Sequence, residues 1–386
     1  MAADQPGQHI EVRADNLPPP YATPSVSNFP ALVERPAGAT LLVPQGFRAA
    51  LFAEHLGNAR NLAVAPNGDI FIVASAEGSV LVLRDDGSGK AGRPEVFAGN
   101  LVAPHGIAFQ EGAVYIADLR AVWRFPYSPG DTKAVGAAAQ VTPNGALGTP
   151  NGHATRNLAF GPDGKTFYVA IGSRGNADEE EVPRATVMQF RADGSGGRVF
   201  ASGLRNPVGL AFRPGSSDLY TVVNERDGLG DGLVPDYFTR LQQGGFYGWP
   251  YSYIGRHPEP RMRGRHPELV AEAIVPDVLF RSHSAPLGLV FYNGAQFPDE
   301  YRGDAFVALH GSWNSAVPTG YEVARVKFRN GRPAGGYEIF ATGFQVDGGK
   351  TALVWGRPVA VAVARDGSLL IADDTGGTIW RISYGK

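Results

Sequence analysis

Apolar residues in this chain come in short runs that alternate with turn formers, and the runs come in pairs. The clearest pair is residues 208–212 and 219–223, rich in β-branched and aromatic side chains and separated by Arg-Pro-Gly-Ser-Ser-Asp. It predicts an antiparallel hairpin. Antiparallel pairing sets the start of the first strand beside the end of the second, so Arg205 and Asn206 meet Asn224, Glu225, Arg226 and Asp227 at one edge.

The same paired pattern recurs six times, beginning near Ala59, Pro104, Thr155, Arg205, Ala285 and Gly356. Most copies are followed by further strand-like runs, such as Ala-Val-Trp-Arg-Phe from Ala121 and Thr-Ile-Trp-Arg-Ile from Thr378. Six units of this kind predict an all-β chain, a six-bladed β-propeller of four-stranded antiparallel blades. The final unit shows three clear strands. The run from Phe47 to Leu56 can be read as helix or strand; we favour a strand, which supplies the missing fourth and leaves no open edge. Residues 1–44 are rich in Pro and small residues and are read as an extended arm, with the propeller over 45–386. The interval 244–268 is too long for a simple connector. It is expected to cover one face and shape a cleft, the alternative being a solvated insertion.

Composition narrows the chemistry. The chain has 386 residues, 51 Gly, 30 Pro and a formal charge of −2 with 19% charged residues, so no basic surface points to nucleic acid. No apolar run reaches the length of a membrane span. The absence of Cys removes thiolate nucleophiles, iron–sulfur clusters, zinc–thiolate sites and covalently attached haem. The start, Met-Ala-Ala-Asp-Gln-Pro-Gly, has neither the basic nor the apolar region of a signal peptide.

In a propeller, equivalent positions before each innermost strand form a ring on one face. Here they are Arg60-Asn61, His105, His153 with Arg156-Asn157, Arg205-Asn206, His283-Ser284 and Arg357. The loops after the second strands add Asp118, Arg120, Ser173-Arg174, the 224–227 stretch, His310 to Asn314 and Asp373-Asp374. Such a rim suits an anionic ligand, because Arg binds carboxylates bidentately. Asp227, Asp231 and Asp236, spaced by glycines, offer the oxygen donors that Ca²⁺ prefers, though not at EF-hand spacing. Two motifs do not hold. The Gly-x-Gly-x-x-Gly at 87–92 opens no helix, and Ser312 near His310 lacks a nucleophile-elbow setting.

The segments Asn-Gly-His at 151–153, Gly-Leu-Arg-Asn-Pro-Val-Gly from Gly203, and Gly-Gly-Phe-Tyr-Gly-Trp-Pro at 244–250 resemble the soluble quinoprotein glucose dehydrogenases and L-sorbosone dehydrogenases. That resemblance implies a propeller holding pyrroloquinoline quinone (PQQ) and Ca²⁺ at one mouth and oxidising an aldose or sugar aldehyde, sorbosone-like. Carried over, it makes His153 the general base and sets Arg205 and Asn206 near the quinone oxygens. Arg226, His310, Trp313 and Arg357 fall at cofactor-contacting positions. The backbone carbonyls of Asp227 and Gly228 fall at the Ca²⁺ position, with Asp231 beside them. Three departures stand out: Ser173 replaces an expected Asp, and a Lys and a second Arg are replaced near His310–Trp313 and at Trp355. These favour the sorbosone branch. A separate electron acceptor, of cytochrome or quinone type, and a periplasmic or secreted location are further implications of the resemblance. A metal-dependent propeller lactonase and a non-enzymatic binding propeller are the alternatives.

Overall fold

The computed structural model describes residues 4–346 and 349–385. The six expected blades are present, and their innermost strands are Ala59–Val64, Gly106–Gln110, Arg156–Phe160, Asn206–Phe212, Pro286–Phe291 and Pro358–Val363. Within each blade the strands follow in chain order from the axis outward. The last blade is the exception that closes the ring. Its outer strand is Phe47–Ala53, antiparallel to Thr378–Tyr384 with Phe47 opposite Tyr384, so the strand that precedes the first blade is paired into the last one. Two blades carry an additional edge strand: Gly245–Phe246 lies parallel to Arg198–Ser202, and His9–Ile10 pairs with Tyr337–Ala341.

The second strands have no solvent face. Ile70–Ala74, Ala113–Ala117 and Ala305–Leu309 are buried at every position, which explains why they read as unbroken apolar runs rather than alternating ones. Aromatic rings fill the wedges between blades, as where Tyr220 stacks on Phe238 at 5.0 Å and meets Phe291 edge-on at 5.4 Å. Each such ring contributes about 1.5–3 kcal/mol by burial alone. Around the axis the inner strands come close enough that side chains must vanish: a Cβ on Gly288 would lie 2.5 Å from Ala360 Cα of the next blade. Leu62, Ile107, Leu158, Leu210, Leu289 and Val361, one from each blade, line the channel below a polar layer of Arg60, Asn61, His105 and Asn157. The cavity there is only about 100 Å³.

The segment before Phe47 is extended and docked. Ala31–Leu32 pairs in parallel with Leu353–Val354. Backbone bonds join Tyr21 N to Leu229 O (2.8 Å) and Asn28 N to Trp313 O (2.7 Å). It therefore runs over the loops of blades four to six. Helix among the described residues is confined to Pro267–Glu272 and two 3₁₀ turns, and no described helix is long and apolar enough to cross a membrane.

Candidate active site

The residues expected on one rim do converge there. His153 enters on the loop before the third inner strand. Its Nδ1 lies 2.7 Å from the Ser173 carbonyl, and a carbonyl can only accept, so Nδ1 carries the proton and Nε2 keeps its lone pair. Burial, then the nearby Arg205 guanidinium, lower the His153 pKa to about 4, leaving the ring neutral across the physiological range. Gly172 makes this approach possible: a Cβ there would stand 2.7 Å from His153 Cβ and 2.3 Å from Asn206 Oδ1. Asn206 is buried, and its Oδ1 has no hydrogen-bond partner among the described residues.

Arg205 donates to the Glu225 carbonyl (2.6 Å) and to Asp227 Oδ2 (2.9 Å). The other Asp227 carboxylate oxygen accepts from Asn314 Nδ2 at 2.7 Å, and that amide nitrogen lies 3.2 Å from His283 Nδ1. Asn176, which the sequence pattern did not single out, grips Asp227 at both backbone groups: Asp227 N donates to Asn176 Oδ1 (2.9 Å), and Asn176 Nδ2 donates to Asp227 O (2.8 Å). The carbonyl of Asn176 in turn accepts from Trp249 Nε1 at 2.9 Å, so the long 244–268 interval does reach the mouth. Glu259 from the same interval forms a fully buried pair with Arg226 at 3.0 Å. Arg226 is thus turned away from the opening.

Beneath this network lie two buried carboxyls. Burial pushes Asp236 up to about 8, against the N–H groups of Glu225 and Ala285 that it accepts, and Glu225 up to about 7.

A second acid-centred network occupies the other side of the mouth. Asp374 accepts from Arg60 Nη1 (2.5 Å) and His310 Nε2 (2.8 Å). Burial works against its charge, yet His310 and Arg60 outweigh it and hold the carboxyl well below the usual range. Arg357 donates to the carbonyls of His310 (2.9 Å) and Gly311 (2.7 Å). Trp313 is 39% exposed and stacks on Phe29 of the docked arm, ring centroids 5.3 Å apart. Asp118 and Asp373, also on the predicted rim, are turn locks: Asp118 accepts from three backbone N–H groups and Arg120, Asp373 from backbone N–H groups and the Thr378 hydroxyl.

These donors can be matched to the groups the resemblance implies. Arg156, Arg184 and Arg357 hydrogen-bond only to carbonyls and the Asn151 amide oxygen, with no carboxylate in ion-pair contact among the described residues. With no carboxylate in direct contact, these guanidinium groups leave positive potential at the mouth that fits a polyanionic ligand such as PQQ. Two of the expected calcium donors, Asp227 and Asp231, are engaged elsewhere. The Asp227 carbonyl is already saturated, by Asn176 and by Arg226 Nη1 at 2.7 Å, and the carboxylate is held by Arg205. Asp231 turns toward the arm and the 312–320 loop, its N–H donating to Thr23 Oγ1 (2.8 Å) and its Oδ1 accepting from Ala316 N (3.0 Å).

Fold and mouth together define a six-bladed propeller with a neutral histidine beside a surplus of guanidinium groups. Within that class, the chain belongs to the TrAA12-like family, whose model matches residues 41–234 and 268–385. It is 28% identical to an uncharacterized protein of Borreliella burgdorferi over 90% of this chain and 92% of that one. It is 27% identical to the pyrroloquinoline quinone-dependent pyranose dehydrogenase of Coprinopsis cinerea, over 74% of this chain and 44% of that longer protein. The holo structure of that enzyme's PQQ domain superposes with a TM-score of 0.75 at 22% identity, covering 92% of this chain and 99% of the domain. The calcium structure of the Trichoderma reesei family AA12 enzyme gives a TM-score of 0.76 at 18% identity over 90% and 98%.

Proposed function

We propose that this protein is a PQQ-dependent dehydrogenase oxidising an aldose or a sugar aldehyde at the mouth formed by blades three to six. The observation that carries the reading is His153: its tautomer is fixed by the Ser173 carbonyl, and Nε2 remains a free base beside Arg205 in a cationic mouth. PQQ, when bound, supplies an ortho-quinone that accepts two electrons as hydride from a carbon bearing a hydroxyl. Arg205, Asn206 and Arg357 would hold it, with the positive field of Arg156 and Arg184 favouring its carboxylates. His153 Nε2 takes the hydroxyl proton of the substrate, an acid–base contribution of about 10²–10⁴ in rate. Ser173 Oγ lies 3.2 Å from His153 Nδ1 and donates to the Gly175 carbonyl at 2.7 Å, which steadies the ring edge opposite the base.

The sorbosone-like substrate, the separate cytochrome- or quinone-type acceptor and the extracytoplasmic location belong to this reading through the resemblance. Calcium is not given a step, because the Asp227 donors are engaged elsewhere.

The test is reconstitution of the full chain with PQQ, followed by reduction of a redox dye on addition of glucose, sorbosone and other aldoses. Turnover is expected, and Arg205→Ala is expected to lower kcat by about 10²–10³ in a protein that melts as a folded unit. Failure of PQQ to bind, measured calorimetrically with and without added Ca²⁺, sinks the reading; lactone hydrolysis by the same sample would then support the lactonase alternative.

A further inference from the structure

The loop that carries His153 is exposed over residues 149–152, and two buried arginines hold it from beneath. Among the described residues, the loop 149–154 makes a single backbone–backbone bond, His153 N to the Ser173 carbonyl at 3.0 Å. Its other main-chain holds are guanidinium groups. Arg156, at the start of the strand that follows, donates to the carbonyls of Leu147 (3.0 Å), Thr149 (3.4 Å), His153 (3.0 Å) and Thr155 (2.8 Å). Arg184, on the connection between the second and third strands of the same blade, donates to the carbonyls of Thr149 and Asn151, to the Asn151 amide oxygen (3.0 Å) and to the His153 carbonyl (3.4 Å).

Arg184 makes one bond that has no counterpart at Arg156: its Nη1 donates to the Gly172 carbonyl at 3.0 Å. Gly172 precedes Ser173, whose carbonyl accepts from His153 Nδ1 at 2.7 Å. A single guanidinium is therefore bonded to the main chain on both sides of the hydrogen bond that sets the His153 tautomer. For stability alone the arrangement is poorly chosen. Two like charges lie together out of water, burial and then Arg184 lowering the Arg156 pKa to about 9, and desolvating a charge is costly even where it is paired. What a guanidinium does offer is a rigid planar fork of donors, able to hold several carbonyls at fixed angles, whereas an ammonium presents its donors from one point.

We propose that Arg184 is a positioning residue for proton transfer at His153: by tying the 149–153 loop to Gly172 it seats Nδ1 on the Ser173 carbonyl and leaves Nε2 as the free base. The role in catalysis rests on His153 being the base, but the seating of the ring is a property of the chain without cofactor. Arg156 braces the loop alone, since all its partners lie within residues 147–155.

Nitrogen-15 NMR of the cofactor-free full chain at pH 7 tests the seating, with the His153 ring assigned by its loss in His153→Ala. The wild-type ring is expected as the Nδ1–H tautomer, although an unrestrained imidazole favours Nε2–H. Arg184→Met should convert His153 to a mixture dominated by Nε2–H, and Arg184→Lys, which keeps the charge without the fork, should fall between. In the PQQ-reconstituted protein Arg184→Met should lower kcat about 10²-fold while KM changes by less than about threefold. Melting curves record stability separately. An Nδ1–H signal that survives in folded Arg184→Met overturns the proposal, because any loss of stability would then be only structural. Failure of both variants to fold overturns it too, making Arg184 a requirement of the fold instead. If wild type and variants alike never turn over with PQQ, the seating still stands or falls on the tautomer, and it is the dehydrogenase reading that fails.

Discussion

The two acid-centred networks at the mouth use the same residue types to different ends. On one side Asp374 sits between Arg60 and His310 with its side chain 6% exposed; on the other Asp227 sits between Arg205 and Asn314, with His283 3.9 Å away and its own side chain 29% exposed. In the first network the carboxylate is the buried partner, Arg60 being 26% exposed, and both carboxylate oxygens are matched, so it joins blades five and six to blade one. In the second the guanidinium is the buried partner, Arg205 being 8% exposed, and water competes for the carboxylate. That leaves Arg205 the group a ligand can take over. Depth, rather than composition, separates a structural aspartate from a functional one here.

Substitution should expose this asymmetry. Asp374→Asn leaves Arg60 without its counter-charge and is expected to cost about 3 kcal/mol in urea denaturation, whereas Asp227→Asn should cost about 1 kcal/mol. Equal losses at the two positions would end the distinction. A comparable effect is expected from pH. Asp236 and Glu225 have folded-state pKa values raised to about 8 and about 7, so the folded protein holds protons that the unfolded chain releases above about pH 4. These two carboxyls therefore withdraw stability as pH rises from about 4 toward 8, while His105, His153 and His310, whose values burial lowers, add stability as pH rises toward about 6.5. Asp236→Asn should remove part of the first contribution and so raise stability at pH 8 relative to pH 5 in denaturation curves. A smaller signal comes from His153: in the cofactor-free protein its ring resonances should titrate with a midpoint near 4. A midpoint near that of free histidine would show that the ring is neither buried nor crowded by Arg205. Last, because the Asp227 carbonyl is saturated, EDTA should leave the melting temperature of the cofactor-free protein unchanged. A drop would reveal a cation that the donor arrangement does not favour.

Much of this was legible from sequence because repetition translates into geometry. Aligning the hairpins was enough to bring His153, Arg205, Asp227, His283, His310 and Arg357 to one rim, and the missing strand of the last blade located Phe47–Ala53. What escaped was whatever is used once. Asn176 and Glu259 lie in irregular loops, and only their partners Asp227 and Arg226 reveal them. The arm has no periodicity because its contacts are single backbone bonds to loops, so its hold on Trp313 and the 229–231 loop left no pattern. Asp118 and Asp373 show the converse error, since a carboxylate just after a second strand looks available and is in fact consumed by its own turn.

The shared final sheet also bears on how the protein is made. The strand beginning at Phe47 leaves the ribosome well before its mate Thr378–Tyr384 is synthesised. At about 5–20 residues per second, the first strand waits on the order of tens of seconds for its mate. Throughout that interval its unsatisfied backbone is a template for any other nascent chain. Arg48, exposed near the start of that strand opposite Ser383, puts a charge on the waiting strand and discourages stacking with a second copy. Assembly of this ring is thus a race between synthesis and association, and its outcome rests on a segment far from any catalytic group.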